Sequence, residues 1–195
     1  MSASQLKRDE VLADNFRPKL LWPVLIILAT IVADQLTKFW AVNYLSDKPS
    51  VEVFGRFFML TLVYNKGGAL GTSFGSSTYY LVSSLLILII VFYYLVINWQ
   101  NTTLAYPLSL IAGGAIGNII DRIRLGMVID FLDVDFFDID FLGYHLDRWW
   151  TFNLADAAIS CSIIFLLGSV LFSRFRPKTI TIIGDQTHST SCSDQ

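Results

Sequence analysis

Residues Gly113–Asp133 read GGAIGNIIDRIRLGMVIDFLD, and the fold turns on how this stretch divides. Its first half is an apolar helix with small residues at Gly113, Gly114, Ala115 and Gly117. Asn118, Asp121 and Arg122 follow at helical spacing, so all three can point to one side. The second half leaves the helix through Gly126 and delivers Asp130 in an apolar frame of Val128, Ile129, Phe131 and Leu132. A second such carboxylate, Asp156, stands in FNLADAAI at the mouth of another apolar run. Two acids brought to the edge of a membrane by two different segments suggest shared chemistry.

The composition sets the solvent. Of 195 residues, 54% are hydrophobic and only 15% charged, where a soluble domain carries about a quarter charged residues. The length suits one domain, and much of its surface is expected to face lipid. A net charge of −2, with no basic stripe interleaved with aromatics, argues against a nucleic-acid partner. Cys161 lies in an apolar run and Cys192 in a polar tail, so neither a disulfide nor a metal-binding spacing is present. Cys161 reads as a small buried residue.

Four runs are long enough to cross a bilayer core of roughly 20 residues: about 20–41, 79–97, 104–121 and 154–173. Residues 1–19 read as a polar cytosolic tail ending in Arg17 and Lys19, and 174–195 as a second polar tail. The first run is too long for a signal peptide, and no small-residue cleavage site follows it. Between the first two runs, residues 43–77 hold β-branched and aromatic residues between breakers, which predicts short strands, then a glycine-rich loop at Gly67–Gly75. Residues 131–150 alternate Asp with Phe, Ile and Val, as an edge strand or hairpin at the interface does, and Trp149 and Trp150 suit the headgroup zone. An even number of spans puts both termini on one side. The basic flank before the first span and Arg174, Arg176 and Lys178 after the last place them in the cytoplasm, with both acids near the outer face.

Each polar residue within the spans has a plain reading and a sharper one. Asp34 and Lys38 are spaced i, i+4 and can pair with each other, which orders the helix end; direct chemistry by Lys38 is the sharper reading. Gly113 and Gly117 permit close helix packing. Asp121 and Arg122 suit an internal ion pair or a hydrogen-bonded loop anchor, and Asn118 the same or contact with a substrate backbone. The run Asp133, Asp135, Asp138 and Asp140 lacks the glycine and terminal Glu of a calcium loop, so it reads as a solvated face, not a metal site. His145, the only histidine outside the tail, gives too few parts for zinc or a Ser-His-Asp triad. For Asp130 and Asp156, burial and mutual repulsion raise the affinity for one shared proton. Peptide hydrolysis, proton relay and structural pairing all stay open on spacing alone.

The residues resemble lipoprotein signal peptidase (signal peptidase II), a bacterial family of membrane aspartic proteases. The resemblance runs from about Trp22 to Phe172 and rests on DQLTKFW (Asp34–Trp40), YNKGGALG (Tyr64–Gly71), the Gly113–Asp133 stretch and FNLADAAI (Phe152–Ile159). It implies an α-helical membrane protein: four transmembrane helices, a small extracytoplasmic β-cradle after the first helix and a periplasm-side loop or helix flap. Asp130 and Asp156 fall on the family's catalytic pair. Asn65, Asn118, Arg122 and Asn153 fall on polar residues that line or support its site, and Asp34 and Lys38 on a mainly structural pair; Asp121 is read as structural from its own position. The implied substrate is a prolipoprotein whose cysteine already carries diacylglycerol, cut just before that cysteine, with no metal or organic cofactor. The expected setting is the bacterial inner membrane, among its lipids, as a monomer. One departure is visible: the family commonly reads N-x-G-A-A-[FW], and this chain has Gly68 and Leu70 in that motif. The rival from another class is a small transporter or proton channel relaying through Asp34, Lys38, Asp121, Asp130 and Asp156. A non-catalytic scaffold that recruits partners through its tails is a third reading.

Overall fold

The structure, a computed structural model, describes residues 3–67, 76–135, 139–141, 144–146 and 151–175. Helix α1 spans Ala3–Leu45, strands β1 and β2 span Val51–Phe54 and Phe58–Asn65, and helices α2 and α3 span Ser77–Ile97 and Thr102–Leu125. Strand β3 (Val128–Val134), a hairpin of β4 (Ile139–Phe141) and β5 (Tyr144–Leu146), and helix α4 (Leu154–Phe175) are the remaining described elements.

Among the described residues, four helical segments are long and apolar enough to cross a membrane: Leu21–Leu45, Ser77–Ile97, Thr102–Leu125 and Leu154–Phe172. They match the four expected runs, with α1 and α3 each about a turn longer at the end that carries the site. The α1 backbone also runs unbroken back to Ala3, where the sequence reading placed only a polar tail.

Helix α3 is the hub, because its small residues admit neighbours on two sides. A Cβ at Gly113 would stand 2.7 Å from Thr30 Cβ of α1, and one at Gly114 would stand 2.7 Å from the Ala155 carbonyl oxygen of α4. Val91 of α2 packs on Ile111 and Ala112 of α3 in a core flanked by Ile27 and Leu166. The outward faces carry exposed Leu, Ile, Val and Phe, as lipid-facing surfaces do. Cys161 is on that outer surface, so the burial expected for it is against lipid and not against protein.

The cradle is a three-stranded antiparallel sheet in the order β1-β2-β3. Its third strand comes from after α3, so the sheet is not built solely from the segment after α1. Gly126 makes this possible: it closes α3 in the left-handed conformation (φ 70°) that glycine adopts without a Cβ penalty. Phe131 then packs against Ala41 and Leu45 at the end of α1. The other edge of β3 is covered by Phe152, whose N–H donates to the Leu132 carbonyl at 2.9 Å and whose own carbonyl accepts from Leu132 at 2.8 Å. Strand β3 is therefore buried along nearly its whole length. Asp133, expected on a solvated face, is buried and accepts a bond from Thr61 Oγ1 at 2.8 Å. Of the segment anticipated as a flap, about 131–150, the start belongs to β3 and the rest of the described backbone is the β4–β5 hairpin, not a helix. The remainder of that segment, the loop with Gly68 and Leu70, the side chains of Asp138, Asp140, His145, Trp149 and Trp150, and Cys192 with its tail lie outside the described residues.

Candidate active site

The site is built where α1, α3, β3 and the start of α4 converge. Asn153 caps α4, because its Oδ1 accepts the N–H of Asp156 at 2.9 Å. Asp156 answers by accepting the Asn153 N–H at 3.4 Å through Oδ2. This is the reciprocal arrangement of a capping box, with Asn and Asp in place of Ser and Glu. A second cap comes from far away: Asp34 Oδ1 on α1 accepts the Ala155 N–H at 3.0 Å. Both carboxylates sit at the positive end of the α4 dipole, where negative charge is favoured.

Asp130 reaches the same place from β3. Its Oδ1 accepts from Asn153 Nδ2 at 2.7 Å, and its Oδ2 from Asn65 Nδ2 at 2.9 Å. Asn65 pairs in register with Val128, so its side chain lies diagonal to Asp130 on the same face. Asn118 joins the two acids. Its Nδ2 donates to Asp156 Oδ1 at 2.8 Å, and its Oδ1 accepts from Asn153 Nδ2 at 3.1 Å. An unbroken chain of amides, Asp130–Asn153–Asn118–Asp156, thus connects the two carboxylates.

Burial separates the two acids in character. Asp130 is 1% exposed, whereas Asp156 is half-buried. Desolvation is the main cause that pushes the Asp130 pKa from 3.8 up to about 6. The Asn65 hydrogen bond opposes that rise, the negative charge of Asp156 adds to it, and Asn153 and Lys38 oppose it again. Because the folded state binds this proton more tightly than the unfolded chain, the group's stabilisation is complete below about pH 4. It is lost as the pH rises through about 6. Unfolding in detergent is expected to show the wild type losing about 3 kcal/mol between these limits, and Asp130→Asn losing much less. Equal slopes for the two proteins would refute this assignment.

Behind the acids lies a buried ionic cluster. Lys38 Nζ stands 2.8 Å from Asp34 Oδ2 and 2.7 Å from Asp121 Oδ2, and it donates to Asn118 Oδ1 at 2.8 Å. The expected Asp34–Lys38 pair is present, and it extends across to α3. Asp121 pairs with Lys38 and not with Arg122. It also accepts the Ile129 N–H at 3.3 Å, the anticipated loop anchor, which fixes the start of β3 beside Asp130. Gly117 does more than let helices approach: a Cβ there would overlap the Asp34 carboxylate. Arg122 Nη2 reaches the Gly67 carbonyl at 3.5 Å and so points toward the glycine-rich loop.

Gln35 was missed by the sequence reading. Its Nε2 lies within 3.3 Å of Asp34 Oδ2, 3.2 Å of the Gly117 carbonyl and 3.1 Å of Asp121 Oδ1. The signal was a polar amide one position from Asp34 and three from Lys38, in a largely apolar span. Among the described residues, no three His, Cys, Asp or Glu side chains are grouped to hold a metal ion. Two apolar grooves, of about 410 Å³ beside Pro23, Phe92 and Trp99 and about 370 Å³ beside Tyr106 and Phe165, open on the other half of the bundle. Neither groove is lined by the acids.

Residues 26–172 match the family model of signal peptidase (SPase) II. The chain belongs to this family. It is 41% identical over 164 residues to the lipoprotein signal peptidase of Francisella tularensis subsp. novicida, covering 81% of this chain and 96% of that one. Against the lipoprotein signal peptidase of Syntrophus aciditrophicus, it is 35% identical over 155 residues, covering 74% and 91%. Among solved structures, a bacterial membrane enzyme determined in meso at 2.3 Å resolution superposes with a TM-score of 0.64 at 28% identity, covering 80% of this chain and 92% of that one. The chain is therefore a multi-pass membrane peptidase of the signal peptidase II family.

Proposed function

We propose that this aspartic endopeptidase removes the signal peptide from diacylglyceryl-modified prolipoproteins and cuts just before the lipidated cysteine. Asp130 and Asp156 are its catalytic pair. The observation that carries the reading is the amide chain linking one deeply buried and one half-buried carboxylate at a single end of the helical bundle. Such a pair shares a proton. The ionised member takes a proton from water as that water attacks the scissile carbonyl, while the protonated member hydrogen-bonds the carbonyl oxygen. Collapse of the tetrahedral intermediate breaks the C–N bond, and the acid that took the water proton passes it to the leaving amine. Asn65, Asn118 and Asn153 hold the two carboxylates, and Arg122 with the Gly67 carbonyl borders the substrate side.

Both termini are cytoplasmic and the acids lie near the outer face, where the scissile bond of a spanning signal helix meets water. The lipid chains of the cysteine stay in the bilayer. A proton relay fits the same residues poorly: the acids gather at one end of the bundle, and the two apolar grooves on the other half are lined almost wholly by carbon.

Purified protein acting as a monomer in detergent or lipid is expected to cleave a diacylglyceryl-modified precursor, leaving the modified cysteine as the new N-terminus by mass spectrometry. The unmodified precursor should stay intact, and a chelator should change nothing. Cleavage of both precursors at equal rates would overturn the proposed substrate class, and loss of activity in chelator would overturn the metal-free mechanism.

A further inference from the structure

We propose that Lys38 is a positioning residue of this peptidase: it fixes which end of the Asn118 amide faces Asp156. The inference rests on the catalytic reading of Asp130 and Asp156. An ammonium has three protons and no acceptor. Lys38 spends all three, on Asp34, Asp121 and Asn118, and is almost completely buried. A purely structural ion pair would be complete with the two carboxylates. The third bond goes instead to an amide whose other end touches a catalytic acid.

That bond decides the amide's orientation. Asn118 Oδ1 must face Lys38, because a donor-only group at 2.8 Å rejects Nδ2. The same oxygen accepts from Asn153 Nδ2. Nδ2 of Asn118 is then committed to Asp156 Oδ1. Asn153 is committed in parallel, since its Oδ1 takes the Asp156 N–H and its Nδ2 faces Asp130. Without Lys38 the preference reverses. The Asp34 and Asp121 carboxylates would attract the Asn118 NH2 group, and a half-turn would set Oδ1 against Asp156. An oxygen there repels an ionised carboxylate and accepts from a protonated one, so it would hold the proton on Asp156 and deprive Asn153 Nδ2 of a partner. Gln35 provides the contrast: it binds Asp34 and Asp121 as Lys38 does, but has no bond to Asn118.

The test compares Lys38→Gln with Lys38→Met in purified protein cleaving the lipidated precursor. The two remove the same charge and have similar length, but only Gln keeps a donor for Asn118. Both are expected to lower thermal stability alike. At matched folded fraction, Lys38→Met should lose about 100-fold in kcat with KM nearly unchanged, while Lys38→Gln keeps kcat within about tenfold of wild type. In an Asn118→Ala background the difference between them should vanish. Should Lys38→Met not fold, the same comparison is made in Asp34→Asn protein, which has one unpaired buried charge fewer, and the same order is required. Equal kcat for Met and Gln, or a difference that persists without Asn118, overturns the proposal. Asp130→Asn or Asp156→Asn retaining turnover would sink the catalytic reading itself; dead aspartate variants with equal Lys38 arms would sink only the role of Lys38.

Discussion

Asp130→Asn and Asp156→Asn are each expected to reduce cleavage of a lipidated precursor by about 10⁴-fold or more, with the fold intact. Asparagine keeps the volume and one carbonyl acceptor but cannot exchange a proton, and groups that act as a unit lose nearly the whole effect when either is removed. The structural cost differs between the sites. At position 130 the side chain accepts from two amide donors, so the new NH2 group must meet at least one of them. Position 156 also accepts two bonds, but the one from the Asn153 N–H is long at 3.4 Å, so the asparagine Oδ1 can keep the 2.8 Å bond from Asn118 while its NH2 group displaces only the weaker one. Asp156→Asn should therefore stay closer to wild type in thermal midpoint than its loss of turnover suggests. Activity assays and unfolding in the same detergent separate the two effects. Near-normal turnover by either variant would refute the catalytic assignment and make Asp121 or Asp34 the next candidate.

Gly117→Ala is expected to be the most damaging single-methyl change in the bundle. The added carbon would overlap the Asp34 carboxylate, which holds Lys38 and caps the Ala155 N–H. Displacing it breaks a buried ion pair, a change that costs about 3–5 kcal/mol. Gly168→Ala on α4 is the control, because nothing lies near its added Cβ. It should gain about 0.5–1 kcal/mol by restricting the unfolded helix. Unfolding of both in detergent gives the difference directly; equal stability would refute the view that Gly117 seats the carboxylate.

The spans, the stop at Gly126 and both proposed catalytic acids were legible because each depends on local sequence. Apolar run length fixes a span, a glycine after the last helical turn ends it, and a lone acid in an apolar frame announces itself. Asn153 and Asp156 also show their N-cap spacing in the sequence. What stayed hidden depends on partners far away in the chain. The i, i+4 pairing of Asp34 with Lys38 is sufficient in itself, so nothing local reveals that Asp121 and Asn118 share the same ammonium. The acids after Asp130 alternate as a solvated face would, yet β3 is covered by β2 on one edge and by Phe152 on the other. That cover buries Asp133. Nothing local marks Thr61, which sits where the β2–β3 register shifts between Leu60 and Val63, as its partner.

The i, i+4 pair also matters for biogenesis. Membrane segments arrive one after another during synthesis, and α1 must wait in the bilayer for α3 and α4. A lone Lys or Asp near the middle of a span is costly there, but Lys38 brings its own counterion one turn away. The first helix can therefore insert as a neutral unit. Asp121 arrives with α3 and takes a second bond from the waiting ammonium. The last step is the docking of α4, when Ala155 closes onto Asp34 across 121 positions of sequence. Asp156, one of the two proposed catalytic acids, arrives with that last span, so on this reading a nascent chain has no complete pair with which to act on precursors while it is still being made.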